Sequence, residues 1–157
     1  MKIQFESQLE YQNHAINSIV NIFEGQEICQ SNFTVTGIND NLLTYQNDLG
    51  IGNRLELLDD EILSNVQNIQ LKNGLPQTKS VKDIKTMDFS VEMETGTGKT
   101  YVYIKTMFEL NKLYGWSKFI VVVPSIAIRE GVKKSFEITA DHFMERYGKK
   151  ARFFIYN

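Results

Sequence analysis

The chain has 157 residues, 42% of them apolar and 23% charged, enough for one domain with a sizeable core and the balance of an ordinary soluble globular protein. A net charge of −2 excludes a protein that coats nucleic acid by bulk charge, while leaving room for a local groove. A single cysteine, Cys29, excludes an internal disulfide and fits a reducing compartment.

Met1–Phe5 lacks the apolar core of a signal peptide, and no apolar run approaches the roughly 18 residues that a membrane span needs. The sequence therefore reads as cytoplasmic, with no membrane partner. His14 and His142 share no metal-ligand spacing with each other or with Cys29, which reads as a lone structural or surface thiol.

In chain order, Ser7-Gln8-Leu9-Glu10 is a capping-box pattern. It predicts an amphipathic helix with Tyr11, Ala15, Ile16, Ile19, Val20 and Phe23 at helical spacing, stopped by Gly25. Residues 26–57 are rich in Asn, Gln, Asp and Gly and read mostly as loop with short strands, Gly50–Asn53 marking a turn. Asp59 or Asp60 caps a second helix, with Ile62, Leu63, Val66 and Ile69 on one face and a stop at Gly74-Leu75-Pro76. Residues 77–87 read as a polar linker.

An α/β rhythm follows. Phe89–Met93 reads as a strand, and Lys99–Leu113 as a helix ending near Gly115. Phe119–Val123, apolar and rich in β-branched residues, has the composition of a buried parallel strand ended by Pro124. Ile126–Tyr147 reads as a helix interrupted near Gly131, Gly148–Lys150 as a turn, and Arg152–Tyr156 as a third strand. Strands alternating with helices predict a parallel sheet with right-handed crossovers.

The most informative run is Met93-Glu94-Thr95-Gly96-Thr97-Gly98-Lys99-Thr100, placed between a predicted strand and a predicted helix. Glycines let backbone N–H groups turn inward around phosphate oxygens, and the helix start adds its positive dipole end. Lys99 can reach the β- and γ-phosphates of a bound nucleotide, and the Thr100 hydroxyl can ligate Mg²⁺. The standard pattern has Gly six positions before the lysine, and here that position is Met93. The dense part, Thr95 to Thr100, is intact in the right context. Two other positions stay open. The Gln12 side chain carries donors and an acceptor that can read adenine, but the residues alone favour an exposed polar residue on a capped helix. Ser125 and the free N–H groups behind it can bind a nucleic-acid phosphate, but the residues alone favour Pro124 and Ser125 as the end of a strand and the cap of a helix.

Tyr11-Gln12, METGTGKT and VVVPSIAIREG, in this order, resemble motifs Q, I and Ia of superfamily 2 helicases and translocases. The wording from METGTGKTYVY to VVVPSIAIREGV resembles the Res subunit of type III restriction enzymes, and Asn65–Gln70 has the same flavour. The resemblance covers most of the chain and is strongest from Asp88 to Val132. It implies an α/β fold: a partial RecA-like P-loop NTPase domain, with a parallel sheet and helices on both faces, over residues 88–157. A helical N-terminal region with an irregular insertion would fill residues 1–87. The resemblance places Gln12 on adenine, and Thr95, Gly96, Thr97, Gly98, Lys99 and Thr100 on the phosphates and Mg²⁺ of ATP. Lys99 and Thr100 become the catalytic pair, and Pro124 and Ser125 lie on the DNA track. It also implies DNA and a methyltransferase Mod subunit as partners of a full-length enzyme that couples ATP hydrolysis to translocation or switching and to DNA cleavage.

ATP hydrolysis needs an acidic pair at a later strand end. After Ser125 the acids are Glu130, Glu137, Asp141 and Glu145, all in helical sequence, while Asp59-Asp60-Glu61 fits a helix start. The expectation is an N-terminal part of a longer enzyme that binds nucleotide but does not turn it over alone. The alternatives are a nucleotide-binding or interaction module without catalysis, or a small P-loop kinase, which the scarcity of arginine disfavours.

Overall fold

Gln12, Ile16 and Val20 recur every four residues, so one stripe of the first helix must be buried. That helix, α1 (Glu10–Val20), runs into a 3₁₀ turn at Asn21–Phe23, and the computed structural model describes it within residues 9–29 and 53–156. Three further helices follow: α2 (Asp59–Lys72), α3 (Lys99–Tyr114) and α4 (Ile126–Tyr147), with a second 3₁₀ turn at Val81–Ile84. Leu9 is the residue before the first turn and supplies no side-chain cap. Ser7 and Gln8 of the expected capping box lie outside the described residues.

The α1 stripe packs on α3. Ile16 and Val20 form one buried cluster with Val102, Leu110, Tyr114 and Trp116. Tyr114 reaches back and donates its hydroxyl to the Val20 carbonyl at 3.1 Å, satisfying an acceptor at the end of α1. Gly115 closes α3 with φ 74°, and here glycine is required, because a Cβ would sit 2.7 Å from the Cys29 carbonyl oxygen. That close approach comes from the bond between Cys29 N–H and the Tyr114 carbonyl at 2.9 Å.

A second cluster gathers Ile22, Ile62, Val66 and Ile84 beneath α2. Phe23 joins the two clusters, its ring edge-on to Trp116 at 4.7 Å between centroids. The polar residues of α2 serve backbone groups. Asn65 donates to the carbonyls of Ile22 and Glu24 at 3.1 and 2.9 Å, and Gln70 both accepts from Thr78 N–H at 2.7 Å and donates to its hydroxyl at 2.9 Å. Glu61 takes the Leu58 N–H at 2.8 Å, which settles Asp59-Asp60-Glu61 as a helix start. The linker at 77–87 is thereby pinned, with Ile84 buried.

α4 meets α3 through aromatic rings. Phe143, 1% exposed, stacks on Tyr101 and Phe108 at 5.5 and 4.6 Å, and Tyr147 stacks on Phe108 at 5.1 Å. α4 runs unbroken through Gly131, contrary to the expected interruption. A glycine inside a helix costs about 1 kcal/mol, which a long helix absorbs.

The expected α/β fold with a parallel sheet is corrected by the structure: among the described residues there is no strand and no sheet. Phe89–Met93, Phe119–Val123 and Arg152–Tyr156 are non-helical segments with no backbone ladder between them. In the last two of these, exposure still alternates, 36%, 92%, 37% and 87% from Phe119 to Val122, and 38%, 95%, 39% and 98% from Phe153 to Tyr156. A period of two is what β-branched and aromatic residues impose on the chain locally. A sheet needs more than that, because each N–H and C=O must find a partner on a neighbouring segment. Composition supplied the local conformation, and the pairing is absent. Of the irregular segment expected at 26–57, residues 30–52 lie outside the described residues.

Replacing Ile16, 2% exposed, with alanine is expected to lower unfolding free energy by about 2–5 kcal/mol in urea titration. Ile120→Ser, at a side chain 92% exposed, is expected to change it by less than about 0.5 kcal/mol. A loss at Ile120 as large as that at Ile16 would mean that the segment is buried after all.

Candidate functional site

The glycine loop stands at the start of α3. A turn at Thr95–Thr97 follows Glu94, and Thr97 Oγ donates to the Glu94 carbonyl at 2.7 Å, closing it. Gly96 and Gly98 both have φ 84°, a left-handed conformation that side chains disfavour. Gly98 is the residue before the first turn of α3 and offers no capping side chain, so the helix's first N–H groups have no side-chain acceptor there. The space around Gly96 is open, with nothing within 4 Å of where a Cβ would stand.

Behind the loop lies Gln12. It is 6% exposed, on the same α1 stripe as Ile16 and Val20, and not the exposed polar residue that the sequence favoured. Its Nε2 donates to the Thr97 carbonyl at 2.9 Å, and a Cβ on Gly98 would lie 2.7 Å from that same nitrogen. Gln12 therefore holds the loop backbone directly. Lys99 is exposed and forms an ion pair with none of the described acids, and Thr100 is half-buried beside it.

The structure brings Gln12, Thr95, Gly96, Thr97, Gly98, Lys99 and Thr100 to one place. No hydrogen bond given among the described residues joins Pro124 or Ser125 to the loop. Ser125 Oγ accepts from Ile128 N–H at 3.3 Å and caps α4. Among the described residues no group of three or more His, Cys, Asp or Glu side chains could hold a metal ion. No helix of the described residues is long and apolar enough to cross a membrane.

Sequence reasoning missed the polar groups that back the site. Lys105, 2% exposed, donates from Nζ to Asn13 Oδ1 at 2.8 Å. The Tyr101 hydroxyl and His142 Nε2 are 3.0 Å apart, linking α3 to α4. Burial pushes the His142 pKa below its ordinary value; Arg146 and Lys105 act in the same direction and Glu145 opposes. The Tyr147 hydroxyl is bonded to the Glu109 carboxylate, and burial together with that carboxylate holds it protonated far above the usual tyrosine range. The available signal was spacing: Gln12 precedes Ile16 by four residues, and Lys105 follows Val102 by three, so both ride on apolar faces.

A glycine loop stands at a helix start, held from behind by a glutamine of a packed helix. Residues 7–153 match the family described as Type III restriction enzyme, res subunit, and the chain belongs to that family. It is 32% identical over 152 residues to the type III restriction-modification enzyme EcoP15I Res subunit of Escherichia coli, covering 96% of this chain and 14% of that protein. It is 29% identical over 153 residues to the EcoPI Res subunit of Escherichia phage P1, covering 96% of this chain and 15% of that one. A 62-residue stretch is 47% identical to the StyLTI Res subunit of Salmonella typhimurium, 40% of this chain and 6% of that protein. The chain thus spans about one seventh of the length of the first two relatives.

His142 also makes stability depend on pH. Its folded pKa lies below the unfolded value of about 6.5, so the unfolded chain binds the proton more readily. It contributes no penalty above about pH 6.5, and a growing one as pH falls through the window beneath. Thermal melts of His142→Gln are expected to lose less stability than the wild type between about pH 6.5 and 5. Parallel pH curves would show that His142 does not titrate differently on folding.

Proposed function

We propose that this chain is the ATP-binding part of the motor of a type III restriction enzyme. The observation that carries the reading is the loop itself: two left-handed glycines at the start of α3, an exposed lysine, and a buried glutamine bonded to the loop carbonyl. Membership of the Res family supports it.

The residues present fit Mg²⁺ and ATP. Thr95 to Gly98 offer backbone N–H groups to the phosphates, and the N-terminus of the 16-residue α3 adds a favourable dipole. Lys99 offers a mobile ammonium to the β- and γ-phosphates, and the Thr100 hydroxyl offers an oxygen to Mg²⁺. The Gln12 side chain lies within the same wall. With its Nε2 on Thr97, it has its carbonyl oxygen left for the adenine amine. Bound Mg·ATP would supply a phosphoanhydride bond whose hydrolysis can drive motion. The chain's own residues bind and orient it.

In the full-length enzyme the reading extends to coupling ATP hydrolysis to translocation or switching on DNA and to cleavage, together with a Mod methyltransferase subunit. Ser125 and Pro124 would meet the DNA backbone, the helix-capping serine offering its end of α4. The acids described after Ser125 lie in α4 or beside it, and none follows an apolar segment in the position that would order an attacking water. This chain alone therefore binds nucleotide and does not turn it over.

Calorimetric titration with Mg·ATP is expected to give one site, lost in Lys99→Ala by about tenfold or more, with no phosphate released in either sample. Equal affinity in both proteins would refute the assignment of Lys99, and release abolished by Lys99→Ala would reveal a complete catalytic site.

A further inference from the structure

Lys105 is the residue that the packing of α3 explains least. It lies on the buried face of the helix, 2% exposed, with its Nζ 2.8 Å from Asn13 Oδ1 and 6.0 Å from the centroid of the Tyr101 ring. Burial pushes its pKa down; Arg146 acts in the same direction, and Glu109 opposes. A methionine would fill much the same space without desolvating an ammonium. What it would not supply is the bond to Asn13, which fixes how α1 is rotated and where it sits along α3.

Asn13 is the neighbour of Gln12, and one helical turn is stiff. Placement at Asn13 therefore fixes placement at Gln12. The fit there is tight: Nε2 of Gln12 both bonds the Thr97 carbonyl and lies 2.7 Å from where a Cβ on Gly98 would stand. A small shift of α1 would either break that bond or press on the loop. Together with the Tyr114 bond to Val20 at the far end of α1, these two bonds set the position of its first turns more closely than apolar contact does, because apolar packing is non-directional.

Building on the nucleotide-site reading above, we infer that Lys105 is a positioning residue of that site: through Asn13 it sets Gln12 against the Thr97 carbonyl and so holds the phosphate loop in its binding shape. Lys105 touches no phosphate in this account. It acts about two turns along α3 from Gly98, on the helix that carries the loop.

The test combines two readouts on the full chain. Amide hydrogen exchange of residues 94–100 is measured without nucleotide, and Mg·ATP affinity by calorimetry. Lys105→Met and Asn13→Leu are each expected to speed loop exchange and to weaken Mg·ATP by about tenfold, the melting temperature of Lys105→Met staying no lower than wild type and that of Asn13→Leu falling, because it takes an acceptor from a buried ammonium. Asn13→Asp keeps an acceptor for Lys105 and is expected to behave as wild type in both. In a Gln12→Ala background, Lys105→Met is expected to add little, because the link it serves is already cut. Unchanged loop exchange in Lys105→Met and Asn13→Leu would overturn the inference. So would faster exchange spread through all of α3 in Lys105→Met together with a lower melting temperature of that variant, which marks a purely structural residue. If wild-type chain binds no Mg·ATP while the loop still loosens in both variants, the nucleotide reading falls and the mechanical link stands.

Discussion

The seating of α1 on α3 is the constraint on which the rest of this structure depends. One stripe of α1 does two jobs. Ile16 and Val20 bury apolar surface against Val102, Leu110 and Tyr114, and Gln12, one turn earlier on the same stripe, bonds the carbonyl of Thr97. The apolar part supplies the attraction, and the polar part supplies the register. A glycine loop is costly to hold in one shape because its residues lose the most freedom on ordering. Anchoring it from behind by a buried side chain means that part of this cost is met during folding, before any ligand arrives.

The same division of labour recurs away from the loop. Trp116 and Asn53 tie the segment after α3 to the chain before α2: the Trp116 indole donates to the Arg54 carbonyl at 3.2 Å, and Asn53 Oδ1 accepts from the N–H groups of Ser117 and Lys118 at 3.0 and 3.1 Å. Asn65, Gln67 and Gln70 do the same for the 3₁₀ turn after α1 and for Thr78. Amide side chains here stand in for backbone partners that irregular segments lack. That explains why so many Asn and Gln residues sit in and around α2 without forming a polar site.

Much of the helical content was legible in the sequence because helices announce themselves locally. α3 and α4 begin and end where their glycines and apolar spacing said they would, Gly115 and Gly148 closing them with positive φ, whereas Asp59 and Asp60 lie inside α2 and Leu58 stands at its cap. The loop was legible for the same reason, since Thr95 to Thr100 is one contiguous run. Two things were not legible. A sheet is a pairing between distant segments, and the composition of Phe119–Val123 reports only local preference. The roles of Gln12, Asn13 and Lys105 depend on a helix that packs some 85 residues away in sequence, so their neighbours could not be read in advance. Polar residues at buried helical spacing were the one trace that they left.

The loop and the α1 helix behind it are proposed to form one nucleotide site. Photolabelling with an azido-adenine analogue of ATP, followed by mapping of the labelled peptides, tests it most directly, because it reports where the base lies and not only whether it binds. Label is expected on the α1 peptide around Gln12, competed by Mg·ATP and lost in Lys99→Ala. Label confined to other segments, or label on α1 that persists without Lys99, would contradict it.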